Sequence, residues 1–183
     1  MRFSRRAGGI RAKLDAVEAD VLSSLAADLL VLLGEQDEPD ADPLAALVGL
    51  SSGPVTAPED PALARLLPDA YGDDPEAADE FRRYTEGDLR AAKRADAGGV
   101  LASLAPLTGQ GGKLVLDREQ ADAWLGCLND LRLVLGNRLE VTEDTDLDPA
   151  ADDPRGQALH VYGFLGWLQE SLLAAVEPVL PGG

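Results

Sequence analysis

The hydrophobic pattern changes period at Asp15. Before it, Phe3, Ile10 and Leu14 flank Gly8-Gly9 among polar residues, which predicts a short N-terminal β-hairpin with a glycine turn. After it, Leu14, Val17, Val21, Leu25, Leu29 and Leu32 recur every three or four residues, a helical stripe that Gly34 ends. Asp15 with Glu18 three residues on predicts a capping box, Asp standing in the Ser/Thr position. Residues 35–60 are rich in Asp, Glu, Pro and Gly and lack Lys and Arg, so they read as an acidic loop. Within that loop Leu44, Leu47, Val48 and Leu50 predict one helical turn, and 61–67 predicts a short helix with Pro61 in its first turn.

A third helical region runs from Asp74-Pro75 to about Leu104, with a break expected near Gly98-Gly99. Its charges alternate through Glu76, Asp79, Arg82, Arg83, Glu86, Arg90, Lys93 and Arg94, the pattern of a solvated face. A turn over 106–112 leads into a strand over 113–116. Leu116-Asp117-x-x-Gln120 then echoes Leu14-Asp15-x-x-Glu18, through duplication or through convergent capping chemistry. The helix over 118–138 places Ala121, Trp124, Leu125, Leu128, Leu131, Leu135 and Leu139 on one face. A second acidic loop spans 140–153. The last helix begins near Pro154 and carries Ala158, Val161, Leu165, Leu168, Leu172 and Val176, with Phe164 and Trp167 widening its apolar surface. Gly163 and Gly166 suit close approach of another backbone. The pattern as a whole predicts a mainly α single-domain helical bundle over 1–183, with a small β element made of the N-terminal hairpin and the strand near 113–116.

Charge narrows the function. A net charge of −17 opposes uniform binding to nucleic acid and docking on an anionic membrane, and suits a basic protein partner instead. Arg2, Arg5, Arg6, Arg11 and Lys13 gather in the hairpin, to balance the acidic remainder or to contact an acidic surface or a nucleic-acid groove. The apolar runs are too short for a signal peptide or a membrane span, and one cysteine fits a reducing compartment, so a cytoplasmic location is expected.

Chemistry is sparse. One His (His160) and one Cys (Cys127) predict no metal site, no cofactor and no Ser- or Cys-based catalysis. Asp144, Asp146 and Asp148 lack the glycine and closing Glu of a calcium loop. Gly109-Gln110-Gly111-Gly112 leads into Lys113 and a strand, so it is no phosphate loop. Cys127 beside the apolar face reads as a small core residue, with a redox thiol as the competing role. Asn129, Asp130, Arg132 and Arg138 interrupt the 118–138 helix, as a polar seam against its neighbours or as an interaction surface. An enzyme with an unfamiliar carboxylate site is a third class, and it would need a deep pocket.

The run Trp124-Leu125-x-x-Leu128-Asn129-Asp130-Leu131-Arg132-Leu133, then Leu135-Gly136-x-Arg138-Leu139, resembles the actinobacterial family called domain of unknown function 2017. The arginine- and glycine-containing start and the closing Tyr162-x-x-Leu165-x-Trp167-Leu168-Gln169 fit the same family. The resemblance covers essentially the whole chain and implies a non-enzymatic protein related to an oxidative-stress transcriptional regulator. Such a regulator works with a sigma factor or another transcription component and senses oxidation through paired cysteines. The family's setting near a Clp adaptor implies, as an alternative, an accessory factor in regulated proteolysis. With Cys127 alone, a paired-cysteine switch cannot operate within one subunit; an intermolecular disulfide or oxidation of a single thiol would have to replace it. A homodimer through the last helix is a further expectation from its wide apolar face.

Overall fold

Both capping boxes form. In a computed structural model, which describes residues 1–6, 8–34, 58–68, 75–147, 149 and 153–177 (backbone alone for 75–77), helix α1 spans Ala16–Leu33. Asp15 Oδ1 accepts from the Glu18 amide at 2.8 Å, and the Asp15 amide donates to Glu18 Oε2 at 2.9 Å. Asp117 and Gln120 repeat the exchange at 2.9 and 3.0 Å, opening the helix Arg118–Arg138. Two strands, β1 (Ser4–Arg6) and β2 (Gly9–Leu14), precede α1, and β3 (Gly112–Leu116) precedes the Arg118–Arg138 helix. They form one antiparallel sheet in the order β1-β2-β3, with Ile10 opposite Leu116 and Leu14 opposite Gly112. Alternation does the rest: Ile10, Ala12, Leu14, Leu114 and Leu116 face the core, while Arg11, Lys13, Lys113 and Val115 face outward.

Helices α2 (Pro61–Leu66), α3 (Pro75–Leu104), α4 (Arg118–Arg138) and α5 (Gly156–Val176) complete a mainly α fold. Helix α4 is the hub, packed against α1, α2, α3, α5, β2 and β3. At its centre Trp124 is buried, edge-on to Phe3 with ring centroids 5.7 Å apart, and its indole N–H donates to Ser103 Oγ at 3.0 Å. Several helix ends are closed by arginines. Arg90 donates to the Leu33 carbonyl and Arg94 to the Leu30 and Gly34 carbonyls, capping α1. Arg5 donates to the Ala175 and Val176 carbonyls at 3.0 and 2.7 Å, so part of the basic hairpin neutralises the C-terminus of α5.

Four expectations change. The buried stripe of α1 is Ala19, Leu22, Ala26, Leu29 and Leu33, while Val17 is 70% exposed. Leu14 and Leu29 of the predicted stripe are buried, while Val17, Val21, Leu25 and Leu32 are left exposed or only partly buried. Helix α3 has no break at Gly98-Gly99, because packing on α1 and α4 holds what propensity alone would loosen. Its charged face is not wholly solvated: Arg82 and Glu86 are buried, joined at 3.0 Å, and Glu86 also accepts from Arg90 at 2.6 Å. In α5, Leu159 rather than Ala158 is buried in the first turns. The turn expected at 44–50 lies outside the described residues. Among the described residues no helix is long and apolar enough to cross a membrane.

Candidate functional site

The interrupted face of α4 is where polar chemistry enters the core. Its buried residues are Ala121, Trp124, Cys127, Leu128, Asp130, Leu131 and Val134, with Leu125 and Leu135 only partly buried, so the inward face is rotated toward Cys127 and Asp130. Asp130 faces α3, where Lys93 Nζ donates to its Oδ1 at 2.7 Å. One turn along α3, Asp96 lays its carboxylate over Gly126, where any Cβ would collide with it. The α3–α4 contact thus gathers one ammonium, two carboxylates and the thiol of Cys127.

This surrounding is the reverse of an activated thiol. Burial, then the charges of Asp130 and Asp96, push the Cys127 thiol up to about 12, whereas reactive cysteines sit beside cations or helix N-termini. With the value raised from 9.0 to about 12, native Cys127 should react with a maleimide on the order of a thousandfold slower than in urea. Stopped-flow labelling measures this; equal rates would show an accessible thiolate.

Asp96 is shifted as well: burial raises its carboxyl above the ordinary value, Asp130 adds to the shift, and Lys93 partly offsets it. The folded chain therefore keeps a proton that the unfolded chain has released. Asp96 costs stability as pH climbs from about 4 through its raised value, and the cost persists above it. Asp96→Asn should raise Tm at pH 7, the gain vanishing as pH falls to about 4. A fall in Tm at pH 7 would contradict this.

The other seam residues go elsewhere. Arg132 turns to α5, donating to Gln169 Oε1 at 2.7 Å with its guanidinium carbon 5.3 Å from the Tyr162 ring centroid. A Cβ at Gly166 would meet the Arg132 side chain, and one at Gly163 that of Leu147, at ordinary contact distance, so side chains rather than a neighbouring backbone lie against both glycines. Asn129 is exposed. Arg138 is exposed too, its Nη2 3.9 Å from Asp60 Oδ2 at the N-cap of α2. Asn129, Asp130, Arg132 and Arg138 are therefore not one cluster; α4 sends them to separate neighbours. Sequence reasoning missed Lys93 and Asp96, since pairing across two helices leaves no local signal. Among the described residues no three His, Cys, Asp or Glu side chains group closely enough to hold a metal ion.

A family model described as domain of unknown function (DUF2017) matches residues 1–176. The chain belongs to this family. Two relatives, from Mycobacterium tuberculosis and Mycobacterium bovis, bear the name oxidative stress regulator AosR. Each is 34% identical over 177 residues, covering 89% of this chain and 80% of the relative. A Mycobacterium leprae relative is 35% identical over 173 residues, 87% of this chain and 78% of its own. No solved structure matches. The likeness to proteins named as regulators supports a regulatory role for this DUF2017 member.

Proposed function

We propose that this protein is a non-enzymatic regulator in the oxidative-stress response, acting through contact with a protein of the transcription machinery, a sigma factor first among them. The observation that carries the reading is the likeness to oxidative stress regulator AosR over 89% of the chain. The net charge of −17 supports a basic protein partner over bare DNA. The acidic segments 35–60 and 140–153 steer the encounter, and apolar side chains of α5 supply affinity, Phe164 and Trp167 among them, stacked with centroids 6.5 Å apart. No intramolecular disulfide takes part, because Cys127 is the single cysteine.

Disruption of the gene in the native host, followed by peroxide challenge and transcript measurement, tests the reading. Loss of peroxide-induced transcripts is expected, with rescue by both the wild-type chain and Cys127→Ser. Unchanged transcripts would overturn the regulatory role. Rescue by the wild type alone would instead place the thiol in the mechanism. Recovery of a Clp protease subunit as the bound partner would favour an accessory role in regulated proteolysis.

A further inference from the structure

Between α1 and α5, over the C-terminal half of α4, lies an open cleft of about 410 Å³ lined by Val21, Ser24, Leu25, Leu135, Ala158 and Val161, with Pro154 and Gln157 at its end. Its walls are mostly aliphatic, with Ser24 and Gln157 as the polar side chains. Val17, one turn before Val21, extends the same ridge and is 70% exposed. Val17, Val21 and Leu25 thus stand at helical spacing on a flank of α1 beside its buried stripe, Val17 exposed and Leu25 packed by one side against the core margin.

Acidic residues flank it in the chain. Asp28 is exposed one turn beyond Leu25. Beyond Leu135, Glu140, Glu143 and Asp144 are exposed, while Arg138 lies 3.9 Å from Asp60. Arg155, the cation nearest this end in the chain, is tied to Asp153 at 3.5 Å and to the Leu139 carbonyl.

We infer that this cleft docks a basic amphipathic helix of a partner protein. Apolar anchors at helical spacing enter between Val21, Leu25, Leu135, Ala158 and Val161, and the helix's Lys and Arg side chains meet Asp28 and the other acidic residues that flank the cleft in the chain. This rests on the protein-contact reading above and deepens it by locating the surface and the chemistry of the partner. A mostly aliphatic floor with acidic residues beside it in the chain disfavours an acidic peptide or nucleic acid, and the walls are helices with no free strand edge to extend.

The test uses the full chain and a fluorescein-labelled 18-residue Lys/Leu peptide with the two residue types at helical spacing, beside a scrambled peptide of the same composition. Anisotropy should give the amphipathic peptide a Kd at least about tenfold tighter than the scrambled one. Gln157→Trp, which plugs the cleft from an exposed position, and Val161→Asp should each abolish that difference while circular dichroism stays unchanged. Equal binding of both peptides, reporting charge alone, would overturn the inference. So would undiminished selectivity in Gln157→Trp, which places the helix elsewhere and leaves the protein-contact reading intact. Concentration-dependent dimerisation abolished by Gln157→Trp would assign the cleft to a second copy and likewise overturn it.

Discussion

Lys93→Met should destabilise the protein by about 3–5 kcal/mol, because it strands Asp130 at the α3–α4 contact without its ammonium. Asp130 is buried and Asp96 is close enough to feel both Asp130 and Lys93, so the variant leaves two neighbouring carboxylates without the ammonium that offsets them. The partners were costly to desolvate, so the pair itself is worth much less than the cost of breaking it. The double variant Lys93→Met/Asp130→Leu should therefore recover most of the loss. Urea unfolding of the two single variants and the double variant decides the matter through the coupling energy. A double variant as unstable as the sum of the singles would show that the residues act independently, and the seam would not be the electrostatic unit described.

A comparable loss, at least about 3 kcal/mol, is expected from Gly111→Ala. Gly111 has φ +70°, and a methyl group there would lie 2.7 Å from the Leu14 carbonyl oxygen, 2.8 Å from the Asp15 carbonyl carbon and 2.9 Å from the Ala16 amide nitrogen. These are backbone atoms at the joint between β2 and α1, fixed by the Asp15 capping box and by the sheet. They cannot move aside as a side chain would. Gly109→Ala provides the control: its φ is +77°, but nothing lies within 4 Å, so only the left-handed backbone penalty of about 1–2 kcal/mol applies. Similar losses in the two variants would mean that the turn over 105–111 does not sit tightly on the β2–α1 joint.

Much of the architecture is written locally in the chain. Asp15/Glu18 and Asp117/Gln120 specify their helix starts because a capping box needs only residues three apart. The hairpin and the 113–116 strand are equally legible, since alternation and glycine turns are short-range. What fails is any choice among several apolar faces. Helix α1 carries aliphatic residues on more than one side, so periodicity alone does not separate the Ala19–Leu22–Ala26 face from the Val17–Val21–Leu25 flank, and only packing against α3, α4 and β2 does. The flank that loses becomes a wall of the open cleft. The charges of α3 mislead for the same reason, since Glu86 looks like a surface residue until Arg82 and Arg90 close on it beneath the end of α1.

The polar seam was half legible. Asp130 and Arg132 break an apolar stripe and so announce that partners are required, but the partners, Lys93 and Gln169, are remote in sequence and invisible to local pattern. Cys127 shows the same limit. Its position beside the stripe and Asp130 three residues on are plain from the sequence, whereas the burial that chiefly holds its proton, and the lesser charge of Asp96 arriving from α3 over Gly126, depend on packing.

Regulation by this DUF2017 chain through a bound protein is tested by affinity purification of the tagged full chain from its native host after peroxide exposure, at physiological salt and with nuclease treatment. Stoichiometric recovery of a transcription protein, a sigma factor foremost, that survives the nuclease is expected. Recovery of DNA alone, lost once nuclease is added, would contradict it.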